Sequence, residues 1–573
     1  MKWLLALITL CFVSAASLAQ STATTPEQTL QQQMAQARSL SEKHSYAEAA
    51  AILEKLSADP QITALPNWRN ALGMMPDIEV LAGRPDQAFA TLQQAIELAE
   101  DRGDHISADD LGKDDDLASL RNDPRYQQLL ARLAKDDALW KRQAALWQDD
   151  PAIATPYKPV LTEDEKVAGL SKFWSEARFN FPFFARVPDL DWDREYMEYL
   201  PQVQAAQTTA DYYRVMMRFA ASLRDGHTAV AAPNELNGTL YAAPPLNTQL
   251  VEEKVLITGV YDPALTAHGI RVGTEIVSID DKPVREYAET NVSPYVNGFT
   301  PQDRNSRVYG FMLLRGPNTE PVQLTIRDAS GQMIPVSVHR DCEPSSKCVW
   351  PANEHAQFKM LPGNIAYLAV NEFVDDSGAK TMRDNFASIA QAKALIIDVR
   401  KNGGGNSMNG FSILSMLTDK PIQGFSGKTL DYKPDVRAQG GTPGWFKEPA
   451  WAVSPDPAHF YAKPVILLVS ARTYSAAEDF IALFDAMRRG TLVGETTGGS
   501  TGQPLSFKLP GGGSAEICTR DVAYPDGRVF EGVGIPPQVK VSPTVSDIRQ
   551  GRDAALERAI EMLQEGSTEP ASK

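Results

Sequence analysis

The chain is poor in cysteine: four among 573 residues. None sits in a C-x-x-C pair and the seven histidines are scattered, so no zinc spacing can be written and no metal is expected. It also lacks positive charge. The formal net charge is −16, with no basic run to interrupt the acidity. Phosphate binding needs a basic face, so nucleic acid and anionic membranes are excluded as partners. Long apolar runs are missing too. The one candidate, residues 3–13, falls short of the roughly 20 residues that span a bilayer.

What that short run does resemble is a secretory leader. Lys2 supplies the charge, 3–13 the apolar stretch, and Ser17-Leu18-Ala19 a small-residue cleavage pattern. Leu10 before Cys11 argues against a lipid anchor, which wants a small residue there. Residues 1–19 are therefore expected to be a signal peptide. The remainder would be exported to the periplasm or the extracellular space. That compartment is oxidising. Cys342 and Cys348 flank the turn-forming EPSSK and are expected to form a disulfide, whereas Cys518, in the strand-like AEICTRDVAY, reads as a buried apolar residue.

The patterning predicts a multidomain α+β protein. Residues 20–150 read as helices. YAEAAAILEKL puts Tyr46, Ala49, Ala50, Leu53 and Leu56 on one face, and PDQAFATLQQAIELA repeats the pattern with Phe89, Leu92, Ala95 and Ile96. Asp123-Pro124 reads as a helix start. The run is similar to degenerate tetratricopeptide repeats, which would offer a surface for a protein partner; the plain alternative is a generic helical bundle. A second helical block, a cap at 160–232, opens on a capping box at Thr162 and Glu165 and ends at Asp225-Gly226-His227. Residues 235–341 read as β. Val322, Leu324 and Ile326 alternate, then Ile334, Val336 and Val338 across a turn. Residues 269–284 resemble the core of a PDZ domain, although its carboxylate-binding glycine loop is not visible. From 355 to 545 short apolar runs (NIAYLAV, ALIIDVR, PVILLVS) alternate with helical segments, as buried parallel strands do. An amphipathic helix at 551–566 closes the chain.

One serine stands out. Ser475 follows PVILLVS and precedes a helical pattern, with Glu478 three residues on. A helix N-cap would explain it. So would a nucleophile at a strand-to-helix turn. Other chemistry-bearing residues sit at element edges: His227 in DGHT, the glycines 403–405 after LIIDVRKN, and Glu531 in FEGVGIPP. A phosphate loop would want a lysine and a hydroxyl after the glycines, where Asn406 and Ser407 stand.

The order DGHT, DVRKNGGG, TYSAAE, GETTGG, FEGVGIPP resembles the tail-specific, or C-terminal-processing, serine peptidases, including the core of tricorn protease. The resemblance covers about 160–545. It implies an α/β core of the ClpP/crotonase type with a PDZ-like insert, no cofactor, and a peptide or protein substrate. Ser475 falls at that family's nucleophile position. The bacterial branch uses a lysine base after the GE loop; here Ser500 holds that place, and no lysine stands between Ser475 and Lys508. The tricorn branch uses a histidine and a late glutamate, positions matched by His227 and Glu531. There a serine neighbours the histidine; here Gly226 does. The resemblance thus implies Ser475 as nucleophile, His227 as base, Glu531 as supporting carboxylate, and the backbone of Gly404 and Ala476 as oxyanion hole. A glutamate beside His227 would raise its pKa and place the activity limb between pH ~6 and 8. Two other functions share this sequence pattern: a lipid-carrying binder, like interphotoreceptor retinoid-binding protein, and a scaffold acting through its helical repeats.

Overall fold

The computed structural model describes residues 26–65, 68–101, 105–342, 348–352 and 354–566. The leader expected at 1–19 lies outside them. The chain divides into two compact units, Met1–Asp149 with Pro449–Ser454, and Asp150–Glu448 with Pro455–Lys573.

The first unit is helical, with long helices Pro26–Glu42, Tyr46–Ser57, Trp68–Leu81, Pro85–Glu100 and Pro124–Ala145. Most of the predicted apolar faces are buried: Ala49, Ala50, Leu53 and Leu56 on one helix, Leu92 and Ile96 on another, whereas Tyr46, Phe89 and Ala95 are half-buried at the edges of those faces. The Asp123 side chain accepts from the Arg125 N–H, with Pro124 at the first helical position, so the predicted start is a capped one.

The second unit opens with Glu163–Asn180, whose Thr162–Glu165 capping box is closed in both directions. With Trp192–Ala205 and Thr209–Ala221 it builds an aromatic core of Phe173, Phe181, Tyr212, Tyr213 and Phe219. Phe507 and Ile517 enter the same core. They come from a three-stranded antiparallel sheet in which Ala229–Ala231 pairs with Ser514–Cys518, and that strand with Pro504–Lys508. This sheet ties the segment just after His227 to the late part of the chain.

A second sheet runs in the order Leu246–Val251, Lys254–Val260, Glu275–Ile279, Val322–Arg327, Met333–Val338, all antiparallel. The predicted alternation sets its register: Val322 faces Val338, Leu324 faces Val336, Ile326 faces Ile334. The expectation that 235–341 is β throughout fails in the middle. Residues 284–312 are largely helical, ending in Pro301–Asn305 and Ser306–Met312. Val308 and Tyr309 of that run are buried against the sheet, so packing onto the sheet face stabilises a helix where the local pattern reads weakly.

The third sheet has six strands: Val539–Lys540, Thr491–Gly494, Val465–Val469, Ala394–Asp398, Ile365–Val370 and Ala356–Leu361. The first five are parallel and the last antiparallel. The three apolar runs singled out above are its fully buried centre. Because strands 394–398, 465–469 and 491–494 run the same way, the loops that follow them emerge at one end of the sheet. That end is where open parallel sheets bind ligands.

Candidate active site

Ser475 sits at the turn between strand Val465–Val469 and helix Ala476–Ala486. Its backbone has φ 57° and ψ −128°, outside the ordinary range of a residue with a Cβ. The side chain makes no capping hydrogen bond. Instead Ser475 Oγ and His227 Nε2 share a hydrogen bond of 2.9 Å. The capping explanation of this serine is thereby removed.

The turn is pinned from the neighbouring strand's loop. Thr473 Oγ1 donates to Val399 O at 2.9 Å, Ser470 Oγ to Arg400 O at 2.7 Å, and the Tyr474 N–H to Asn402 O at 3.1 Å. The glycine loop therefore passes directly behind the serine. Gly404 has φ +108°, and a Cβ there would lie 2.6 Å from Ser475 Cβ. Glycine is required by space as well as by conformation. The Gly404 N–H donates to Asn402 Oδ1 at 2.9 Å, so this expected oxyanion donor already has a partner. The Ala476 N–H opens the helix, where backbone donors have no acceptor within the helix and the dipole is positive.

His227 is buried and held on three sides. Nδ1 shares a 2.9 Å hydrogen bond with Ser500 Oγ. The ring stacks on Tyr474 at 5.0 Å and 20°. Arg307 stands over the same tyrosine ring at 5.0 Å, and its Nε donates to Asp303 Oδ1 at 2.8 Å. Burial, and secondarily the Arg307 cation, push His227 down to about 3. The expected upward shift from Glu531 is not what the surroundings produce.

Glu531 does not contact His227. Its Oε2 accepts from the Thr501 N–H at 2.6 Å, and Oε1 lies 3.8 Å from the Arg186 guanidinium. Burial and the negative Asp225 push its carboxyl well above the usual range, against the Thr501 N–H and Arg186. Glu531 and Ser500 both line a small cavity that Arg186 and Asp225 also face. The residue that meets the histidine is thus Ser500, the one standing where the lysine branch has its base.

Ser500 is positioned in turn by Glu478, the acid three residues after Ser475. Glu478 accepts from the Thr497 hydroxyl at 2.5 Å and from the N–H groups of Gly499 and Ser500, each at 2.8 Å. Burial raises Glu478 to about 8, against the lowering effect of its Thr497, Ser500 and Gly499 donors. Helix 301–312 completes the frame. Thr300 Oγ1 donates to Gly498 O at 2.6 Å, and Gln302 Nε2 to Thr497 O at 3.0 Å and Val533 O at 2.9 Å. Tyr474, Arg307, Asn402 and this helix were missed by sequence reading. The only signal for Glu478 and Ser500 was their spacing from Ser475 and the GE loop.

Cys342 and Cys348 are joined by a disulfide, and Cys518 is free and buried. Among the described residues no group of histidine, cysteine and carboxylate side chains could hold a metal ion, and no helix is long and apolar enough to cross a membrane.

A half-buried serine hydrogen-bonded to a buried histidine at the carboxyl end of a parallel sheet has the geometry of a nucleophile and its base. Residues 364–541 match the model of Peptidase family S41, and the chain carries a domain of that family. Carboxy-terminal processing protease CtpA of Bacillus subtilis (strain 168) is 26% identical over 230 residues, 40% of this chain and 44% of the relative. The C-terminal processing peptidase, chloroplastic, of Tetradesmus obliquus is 22% identical over 365 residues, 61% of this chain and 71% of the relative. The match to CtpA thus spans less than half of that protein. Among solved structures, that of mature CPAF has a TM-score of 0.55 at 16% identity and covers 70% of this chain and 98% of that chain, a likeness of fold.

Proposed function

We propose that this chain is a serine peptidase that hydrolyses peptide bonds in proteins or peptides through an acyl-enzyme on Ser475. The observation that carries the reading is the 2.9 Å hydrogen bond from Ser475 Oγ to His227 Nε2, made by a serine held at positive φ. His227 is neutral at pH 7. With Nδ1–H donating to Ser500 Oγ, Nε2 is free to take the Ser475 proton as Oγ attacks the scissile carbonyl. The carbonyl oxygen then turns toward the Ala476 N–H. Gly404 N–H is the second donor, shared with Asn402 Oδ1. His227 returns its proton to the leaving amine, and the same pair activates water for deacylation. Ser500 orients the imidazole. Glu531 acts from across the small cavity beyond Ser500, not by direct contact.

The remaining expectations join this proposal. The sheet 246–338 is read as a PDZ-like module, the 355–545 region as a ClpP/crotonase-type core, the first unit as tetratricopeptide-like repeats open to a protein partner, and the chain as exported. The Cys342–Cys348 disulfide supports the last of these. Labelling with a fluorophosphonate followed by peptide mapping tests the activity. The expected adduct is on Ser475, lost in His227→Ala. A folded protein that takes no label would instead be the non-catalytic binder.

A further inference from the structure

Ser500 and Thr501, on the loop that orients His227, are held by three carboxylates. The Ser500 N–H donates to Glu478 Oε2 at 2.8 Å, the Thr501 N–H to Glu531 Oε2 at 2.6 Å, and the Thr501 hydroxyl to Asp479 Oδ1 at 2.8 Å. The third carboxylate has a second attachment. Asp479 Oδ2 accepts from the Ser407 hydroxyl at 2.7 Å, and Ser407 opens the helix Ser407–Leu414 three residues after Gly404. Asp479 is buried and lies one turn into the helix that begins beside Ser475. Its N–H donates to Ser475 O at 3.2 Å. Burial pushes its carboxyl up, while the Ser407 and Thr501 hydroxyls pull it down.

One side chain thus joins three parts of the site: the nucleophile's helix, the glycine loop and the Ser500 loop. The glycine loop is tied to the serine's surroundings on both sides of Gly404. Before it, the Tyr474 N–H donates to Asn402 O at 3.1 Å. After it, the tie runs from Ser407 to Asp479. The Phe373 N–H, which donates to Gly404 O at 2.8 Å, holds the loop from the neighbouring strand instead. Neither hydroxyl on Asp479 belongs to a residue of the proposed chemistry, so Asp479 acts on that chemistry through the two loops. Misplacing a reacting group by about 1 Å costs ~100-fold in rate.

We infer that Asp479 is a positioning residue, which fixes the glycine loop and the Ser500 loop to the nucleophile's helix so that the Gly404 N–H, Ser475 and His227 keep one geometry during acyl transfer. A carboxylate is suited to this task because it accepts from two hydroxyls at once. The inference rests on the peptidase reading above, which labelling of the wild-type chain tests separately.

The experiment is inactivation of the full chain by a fluorophosphonate, resolved into a limiting rate, kinact, and a half-saturating concentration, KI. Ser475 Oγ attacks phosphorus, fluoride leaves and His227 takes the proton, so kinact reports both loops. Asp479→Ala should lower kinact by about 100-fold and move KI by less than about threefold. Asp479→Asn should recover at least about tenfold over Asp479→Ala, because asparagine offers one acceptor and one donor and each hydroxyl can take either part. Ser407→Ala with Thr501→Val should match Asp479→Ala, and should add nothing on top of it. A purely structural role would lower Tm and leave kinact of the folded protein unchanged. Should Asp479→Ala not fold, the two hydroxyl variants decide, and wild-type kinact in both overturns the proposal. So does wild-type kinact in folded Asp479→Ala, or hydroxyl losses that multiply onto it. A wild-type chain that takes no label removes the peptidase reading itself, and this inference with it.

Discussion

The Tyr474 hydroxyl occupies the space that a side chain on residue 226 would need: a Cβ built on Gly226 would lie 1.8 Å from Tyr474 Oη and 3.0 Å from Cζ. In the tricorn-like pattern a serine neighbours the histidine. Here that volume belongs to a tyrosine whose ring backs the imidazole. Gly226→Ala should therefore displace Tyr474, His227 or both, and lower kcat by about 100-fold, the cost of roughly 1 Å of misplacement. Tyr474→Phe should cost less than tenfold. Joining Tyr474→Phe to Gly226→Ala removes the closest contact and should recover at least tenfold over Gly226→Ala alone. Steady-state turnover of the four proteins closes the cycle. Purely multiplicative losses would mean the two residues do not share this space.

His227 rather than a lysine is expected to be the base. His227→Ala should lose at least ~100-fold in kcat/KM, the low end of general-base catalysis. Lys508→Ala should turn over near normally. Wild-type activity in His227→Ala would end the assignment, and the orienting role of Ser500 with it.

Much of this site was legible in the sequence, for a physical reason. Ser475, His227 and glycines 403–405 lie close to element edges, where composition changes abruptly from apolar runs to glycine and polar residues, and Glu531 lies in the glycine-rich loop between Arg520–Ala523 and Val539–Lys540. The buried strands were equally plain, because a parallel strand covered on both faces has no polar alternation to obscure it. What stayed hidden depends on tertiary contact. Nothing local marks Arg307, because the helix carrying it is stabilised by packing on a sheet. Nothing local could show that Nδ1 of His227 meets Ser500 instead of Glu531, a pairing across 273 residues.

Burial changes the expected pH dependence. With His227 pushed down to about 3, kcat/KM should stay flat from pH 8 to about 5 and fall only as pH drops toward 3. The unperturbed value of ~6.5 would have put the limb between 6 and 8. The same group bears on stability. Between pH ~6.5 and 3 the unfolded state takes a proton that the folded state refuses, so stability should decline as pH falls through that window. An activity limb centred near 6.5, in protein shown by circular dichroism to be folded throughout, would contradict this environment for His227.

The disulfide is testable by mass. Intact protein should be two hydrogens lighter than after reduction, with peptides mapping the link to Cys342 and Cys348. Cys518 should alkylate only in denaturant, because burial excludes reagent and pushes its thiol well above the usual range. Closing so short a loop should contribute ~2 kcal/mol at most. Two free thiols at 342 and 348 in air-oxidised protein would refute the pairing.

Glu478 offers the sharpest separation of placement from charge. Its two oxygens receive three donors, from Thr497, Gly499 and Ser500. Glutamine has one acceptor oxygen, so Glu478→Gln turns an NH2 group toward at least one of these N–H donors and leaves it unsatisfied. That should destabilise the fold by about 1–3 kcal/mol. Turnover should fall as well, because the loop that aims Ser500 at His227 is loosened. The pH dependence distinguishes this from a generic core defect. Glu478 ionises near the ordinary glutamate value of 4.5 in the unfolded chain and only near 8 in the fold. Across that window the folded state holds the extra proton, so this residue's contribution to stability is present below about 4.5 and is lost as pH rises through 8. Wild-type protein should therefore lose Tm between pH 5 and 8.5 more steeply than Glu478→Gln, whose side chain does not titrate. If the two proteins show parallel Tm profiles, Glu478 is not held protonated, and its hold on Ser500 must be that of an ionised carboxylate.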